Sequence, residues 1–184
     1  MPHIPLADAA QGLIELKDGE VFYEATDWNH MKADEVSRHR SRMGRVFESY
    51  GWISNLDVDE NITLAQRSHT QRSEAEIQEE ARRLALDFQI DEIPRVRPIM
   101  VARAVLRRAQ WVRAFMGQPK LIILERPARE MPNPYSDLLL KKVEVFRLQG
   151  TAFLWLTDSM YEWNHPGMNA SLKFEVRGMK MEPA

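Results

Sequence analysis

Cysteine is absent from all 184 residues. That excludes disulfides and any thiolate metal site, and it fits a reducing compartment. No apolar run approaches the roughly 20 residues of a membrane span. The opening MPHIPLADAAQG lacks a basic region ahead of an apolar core, so it does not read as a secretory signal. An excess of either charge is also missing. The net charge of −2 argues against non-specific nucleic-acid binding through the whole surface. The sequence has no low-complexity tract and no internal repeat. The length suffices for one sizeable domain, which buries roughly 70% of its unfolded surface without staples.

The patterning that is present alternates strand and helix. GEVFYE (19–24) reads as a short strand, and KADEVSRHRSRM (32–43) as a helix that is acidic at its start and basic at its end. GRVFE (44–48) reads as a strand, and SNLDVDENITLAQ (54–66) as a loop entering a helix. Ser73 and Glu76 form a capping-box pattern for the next helix. Its apolar side is read as Ala75, Ile77, Ala81, Leu84, Leu86 and Phe88, with Glu79, Glu80, Arg82 and Arg83 facing water. Residues 99–117 are predicted as one long helix ended by Gly117. KLIILE (120–125) is a continuous apolar strand of the kind covered on both faces. An amphipathic helix over 134–150, a buried strand over 151–158 and a final strand over 171–178 follow. This order predicts an α/β fold with parallel neighbours. It also predicts a single domain over 1–184 with a helical subdomain at about 60–117.

The segments QGLIELKDGEVFYEATDW, MGRVFESYGWISNLDVDENITL, RVRPIMVARAVLRRAQWVRAFMGQPKLIILERPA and GTAFLWLTDS, taken in order, resemble the nucleotide-binding domain of ABC transporters. The resemblance runs from about residue 11 to about 160 and implies an incomplete P-loop NTPase parallel sheet with a helical subdomain. LAQRSHTQRSEAEIQEEARRLALDF also resembles the ATPase subunits of Mce-type lipid transporters, the maintenance-of-lipid-asymmetry group.

The resemblance assigns roles position by position. The phosphate-loop lysine falls near His3 and the loop glycines before Met1, so the loop and its strand are expected to be missing. The Q-loop glutamine aligns with Glu48. The signature Ser-Gly-Gly aligns with Ala102, Arg103 and Ala104, where glycines would let the backbone approach a phosphate. The Walker B aspartate aligns with Glu125. The catalytic glutamate aligns with Arg126, which is a cation and no base. Pro132 or Asn133 stands at the D-loop aspartate, and Asp158 at the switch histidine. Phosphoryl transfer depends on positioning and charge from such groups. The expectation is therefore a non-catalytic, pseudo-ATPase subunit or regulator with no cofactor, no metal and no catalytic residue. It would work by contact with an intact ABC ATPase subunit, a membrane permease or both, or as a homodimer, and without nucleic acid. Trp52, Arg103 and Arg126 are the interface candidates, Trp52 being equally readable as core. The expected location is cytoplasmic, extending to the inner face of a membrane. The alternative is a subunit that binds Mg-ATP and hydrolyses it only through a site shared with a partner. There Glu125 would take the magnesium, and Asp158 or Glu48 would orient water.

Several features stay open on the sequence. Glu125, Arg126 and Asp158 read either as a salt-bridge cluster at one sheet edge or as a new active site. Arg103, Arg107, Arg108 and Arg113 read either as an anion-binding face or as partners of nearby acidic helices. The five histidines (3, 30, 39, 69, 165) lack metal-ligand spacing. Met179 and Met181 read as apolar cover. The tail strand is expected to repack beside strand 151–157, with dimerisation as the second way to seal the sheet.

Overall fold

The structure is a computed structural model and describes residues 5–49, 51–178 and 180–184. His3 and Met179 lie outside them. The chain divides into two compact units, Met1–Arg40 with Met168–Ala184, and Ser41–Gly167.

The smaller unit is built around Trp28. A short helix α1 (Leu6–Ala10), a hairpin of β1 (Phe22–Tyr23) with β2 (Thr26–Asp27), and α2 (Ala33–Arg40) surround it. The buried indole donates to the Ala10 carbonyl at 3.2 Å and stacks on Tyr23 at 5.5 Å. A Trp indole body is apolar and its N–H needs an acceptor, which is why both are supplied.

The larger unit carries the sheet. Its strands are β3 (Met43–Val46), β4 (Leu121–Glu125) and β5 (Ala152–Leu156), all parallel, in the order β3-β4-β5. Between β3 and β4 run α3 (Val58–His69), α4 (Glu74–Asp87) and α5 (Arg103–Phe115). α6 (Asn133–Leu148) joins β4 to β5, and α7 (Met160–Trp163) follows β5. Ile122, Ile123 and Leu124 have no exposed surface, as a strand covered on both faces requires. Val46, Ile62, Ile77, Phe88, Trp111, Phe115 and Leu139 complete the core around them. Gly44 makes this packing possible. A Cβ there would overlap the Ala114 carbonyl, so only glycine lets the α5 backbone approach β3 this closely.

Local signals account for most boundaries. The capping box of Ser73 and Glu76 starts α4, and a second, Asp57 with Glu60, starts α3. Gly117, at φ 74°, follows α5. Three expectations about the helices need correction. The long helix begins at Arg103 and not at 99: Pro98–Met100 is a separate 3-10 turn, and Val101 and Ala102 are extended. A proline opens that turn, and the extended pair after it breaks the helical path, leaving Ile99 89% exposed. On α4, Leu86 is exposed and Ala85 buried, because the stripe runs through 77, 81, 84, 85 and 88. Glu80 does not simply face water either. It accepts the Gly117 N–H at 3.0 Å and pairs with Arg72 at 2.5 Å.

The tail forms β6 (Phe174–Arg177), which pairs antiparallel with β7 (Lys180–Pro183). Its strand partner among the described residues is therefore the tail itself, and it does not extend β5. A two-strand turn of adjacent residues closes at far lower entropic cost than a long-range parallel pairing.

Candidate functional site

In open parallel sheets, ligands sit beyond the carboxyl ends of the strands. Here β3 leads into Glu48, β4 ends in Glu125 and Arg126, and β5 leads into Asp158. The structure brings Glu48, Arg126 and Asp158 into one ion-pair cluster, while Glu125 pairs instead with Arg45. Glu125 is 7% exposed, and its Oε1 accepts Arg45 Nε at 2.6 Å. Arg126 stands at φ 41°, a left-handed conformation that costs a non-glycine residue on the order of 1 kcal/mol. Its N–H donates to the Leu156 carbonyl at 2.8 Å, continuing the sheet by one bond. Its guanidinium donates to Glu48 Oε2 at 2.5 Å, and its buried Nε stands 2.8 Å from Asp158 Oδ2 as an ion pair without hydrogen-bond alignment. Arg129 donates to the other oxygen of Glu48. Burial alone would lower the Arg126 pKa, but the Asp158 and Glu48 carboxylates outweigh it and hold it above the ordinary value.

Helix α5 fixes the loop after β3. Gln110 accepts the Phe47 N–H at 3.0 Å, and Arg107 donates to the carbonyls of Phe47 and Glu48 at 2.7 and 2.9 Å. Burial lowers the Arg107 pKa. Arg113 donates to the Gly51 carbonyl and lies over the rings of Trp52, at 4.9 Å, and Phe47, at 5.6 Å. Its Nη2 is buried without a partner, and burial lowers its pKa to about 10. Arg108 donates to the carbonyls of Phe88 and Gln89. The α5 arginines thus reach mainly main-chain carbonyls, where acidic helices were the expected partners. Trp52 is half-buried against the core, and Arg103 is exposed at the start of α5 beside the exposed Ala102 and Ala104.

These carboxylates do not by themselves fit a magnesium ion. Each is already engaged by arginine: Glu125 by Arg45, Glu48 by Arg126 and Arg129, and Asp158 by Arg126. Among the described residues no group of three or more His, Asp or Glu side chains could hold a metal. His30, His39 and His165 each lie beside one carboxylate, of Asp27, Glu24 and Asp137.

Sequence reasoning missed Arg45, Arg129 and Glu162. Arg45 left a signal, since a cation inside the apolar strand segment around Val46 must find a buried acid. Glu162, 3% exposed, left one less plain: an acid flanked by aromatic residues in YEW.

No family model matches the chain. It is 25% identical over 140 residues to the bacitracin export ATP-binding protein BceA of Halalkalibacterium halodurans, covering 76% of this chain and 55% of that one. It is 25% identical over 156 residues to the glutamate/aspartate import ATP-binding protein GltL of Escherichia coli, covering 84% and 64%. The chain thus spans between 55% and 64% of these two curated relatives. A solved dimeric structure of the ATP-binding cassette MJ0796, in a post-hydrolysis state with ADP and Pi, superposes with a TM-score of 0.77. The sequences there are 18% identical, and the match covers 86% of this chain and 70% of that one. The fold is that of an ATP-binding cassette, in the P-loop NTPase class. The chain resembles the nucleotide-binding domains of ABC transporters, and its sequence relatives are their ATP-binding subunits. The relatives named here do not single out the lipid-transporter subgroup.

The expectation of a chain without enzymatic activity is corrected by these relatives. They are named as ATP-binding proteins of an exporter and an importer, and the structural neighbour holds the products of hydrolysis. The physical reason is that phosphoryl-transfer sites work by positioned charge, and positioned charge can come from more than one chain. Substitutions counted along one chain therefore do not measure the activity of an assembled site. Among the described residues, no helix is long and apolar enough to cross a membrane.

Proposed function

We propose that this chain is an ABC-type ATP-binding subunit that hydrolyses ATP through a site shared with a partner. The observation carrying this reading is the convergence of Glu48, Arg126 and Asp158 beyond the carboxyl ends of three parallel strands, with Glu125 closing the middle one. In that site this chain supplies the charged edge beyond its strand ends. The phosphates of a bound nucleotide would compete with Glu48 and Asp158 for the Arg126 guanidinium, which is suited to face phosphate. The export and import names of the relatives support a transporter. The partners are then a second cassette and a membrane permease, with this chain peripheral on the cytoplasmic side. Trp52 and the exposed Arg103 are the residues proposed to meet those partners.

The test is affinity purification of the tagged chain from native membranes, identification of what comes with it, and Mg-ATP turnover by the recovered complex. Asp158→Asn is the diagnostic variant, because its side chain is 62% exposed and the fold should tolerate the change. Turnover that falls roughly a hundredfold or more with Asp158→Asn is expected, the low end of the range for a group acting on a reacting proton. A complex whose turnover ignores Asp158 and Arg126 would overturn the reading.

A further inference from the structure

We infer that Glu162 is a positioning residue that sets the direction of Asp158 by tying down both of its chain neighbours. This rests on the proposed shared site for its meaning but not for its test. Asp158 sits between Thr157 and Ser159 in the turn from β5 to α7. The Thr157 hydroxyl donates to Glu162 Oε2 at 2.5 Å, and the Ser159 N–H donates to that same hydroxyl oxygen at 3.0 Å. The Ser159 hydroxyl in turn accepts the Glu162 N–H at 3.3 Å. The turn is therefore closed on Glu162 from both sides of Asp158.

The carboxylate is also anchored to two other elements. Trp155 of β5 donates its indole N–H to Oε2 at 3.0 Å, and Ser136 of α6 donates to Oε1 at 3.3 Å. Every one of these donors is neutral, and among the described residues no cation pairs with Glu162. A buried carboxylate is costly to keep, and packing alone would not require one here. What it provides is two oxygens that accept three donors at fixed angles. An apolar side chain cannot do that, and an amide could do it only by turning its NH2 toward the Ser136 hydroxyl, so removing the oxygen that Thr157 and Trp155 share takes an apolar substitution. The consequence lies one residue away, where the Asp158 carboxylate stands 2.8 Å from Arg126 Nε.

The test is side-chain NMR on the full chain without nucleotide, reading the Arg126 Nε–Hε resonance and its hydrogen exchange. Trp155 indole N–H reports the anchor itself. In Glu162→Leu, and in the milder Thr157→Val, the Arg126 resonance should shift. Its exchange should quicken by roughly tenfold, the factor that a lost interaction of about 1.4 kcal/mol produces. In an Asp158→Asn background neither variant should change Arg126 further, because the effect travels through Asp158. Additive effects in that background would reduce Glu162 to a core group and overturn the inference. So would a folded Thr157→Val protein with an unmoved Arg126 signal. Loss of ATP turnover without these shifts would also count against it. A failed ATP assay with the shifts present would count against the shared site alone.

Discussion

Arg45 and Glu125 meet at 2.6 Å with 8% and 9% of their side chains exposed, a buried ion pair joining β3 to β4. Removing Arg45 leaves the buried Glu125 carboxylate without the cation that faces it. Arg45→Met or Glu125→Met alone should therefore cost about 3–5 kcal/mol, and the double variant much less than the sum. Urea unfolding followed by tryptophan fluorescence reads this directly. Two additive single effects would show that the pair is not coupled.

Gly44 carries a steric prediction. Because a Cβ would strike the Ala114 carbonyl, Gly44→Ala must push α5 away from β3. A loss of about 1–3 kcal/mol or more is expected, as for other overpacked cores. Since α5 also holds the 47–48 loop through Gln110 and Arg107, the Glu48 environment should shift with it. A variant with unchanged thermal stability would contradict the close approach.

Helix α4 separates two apolar residues that the sequence treats alike. Ile77 is 1% exposed and Leu86 46%. Ile77→Ala should cost about 2–5 kcal/mol. Leu86→Ala should stay within about 0.5 kcal/mol. Equal effects on the melting temperature would place the buried stripe elsewhere.

Arg113 gives a pH prediction. Burial lowers its pKa to about 10 in the folded chain, below the ordinary arginine value. The folded state then releases this proton before the unfolded state does. Above the folded pKa the unfolded state binds more protons, so stability rises with pH. Relative to Arg113→Met, the natural protein should gain stability as pH is raised from about 9 to about 11. Paired urea midpoints across that window check it. A flat difference would mean that Arg113 is well solvated.

The elements were largely legible in the sequence because their causes are local. LIIL is a strand covered on both faces, Ser73 with Glu76 starts a helix, and Gly117 follows one. The start of α5 was less legible, since Ile99, Met100 and Val101 have helical spacing while Pro98 opens a separate turn. Leu86 and Ala85 traded places because adjacent residues differ by only one step around the helix. The site could be marked along the chain but not wired. Arg45 finds Glu125 across 80 residues, and Arg126 finds Glu48 across 78. Those partners exist only once the strand order is known. Glu162 was missed for the same reason, its donors coming from β5, α6 and the intervening turn.

The order of the strands along the chain also sets an order in time. β3 leaves the ribosome without a partner, and its neighbour β4 arrives only after α3, α4 and α5 have been made. The three helices can dock on one another first, through contacts that are short in sequence. The sheet closes later, by the slower route of long-range parallel pairing. Until β4 is synthesised, Arg45 is a cation on an unpaired strand and Gly44 a gap awaiting its helix. A chain stalled before residue 121 should therefore hold its helices but expose β3, and be the species that chaperones bind.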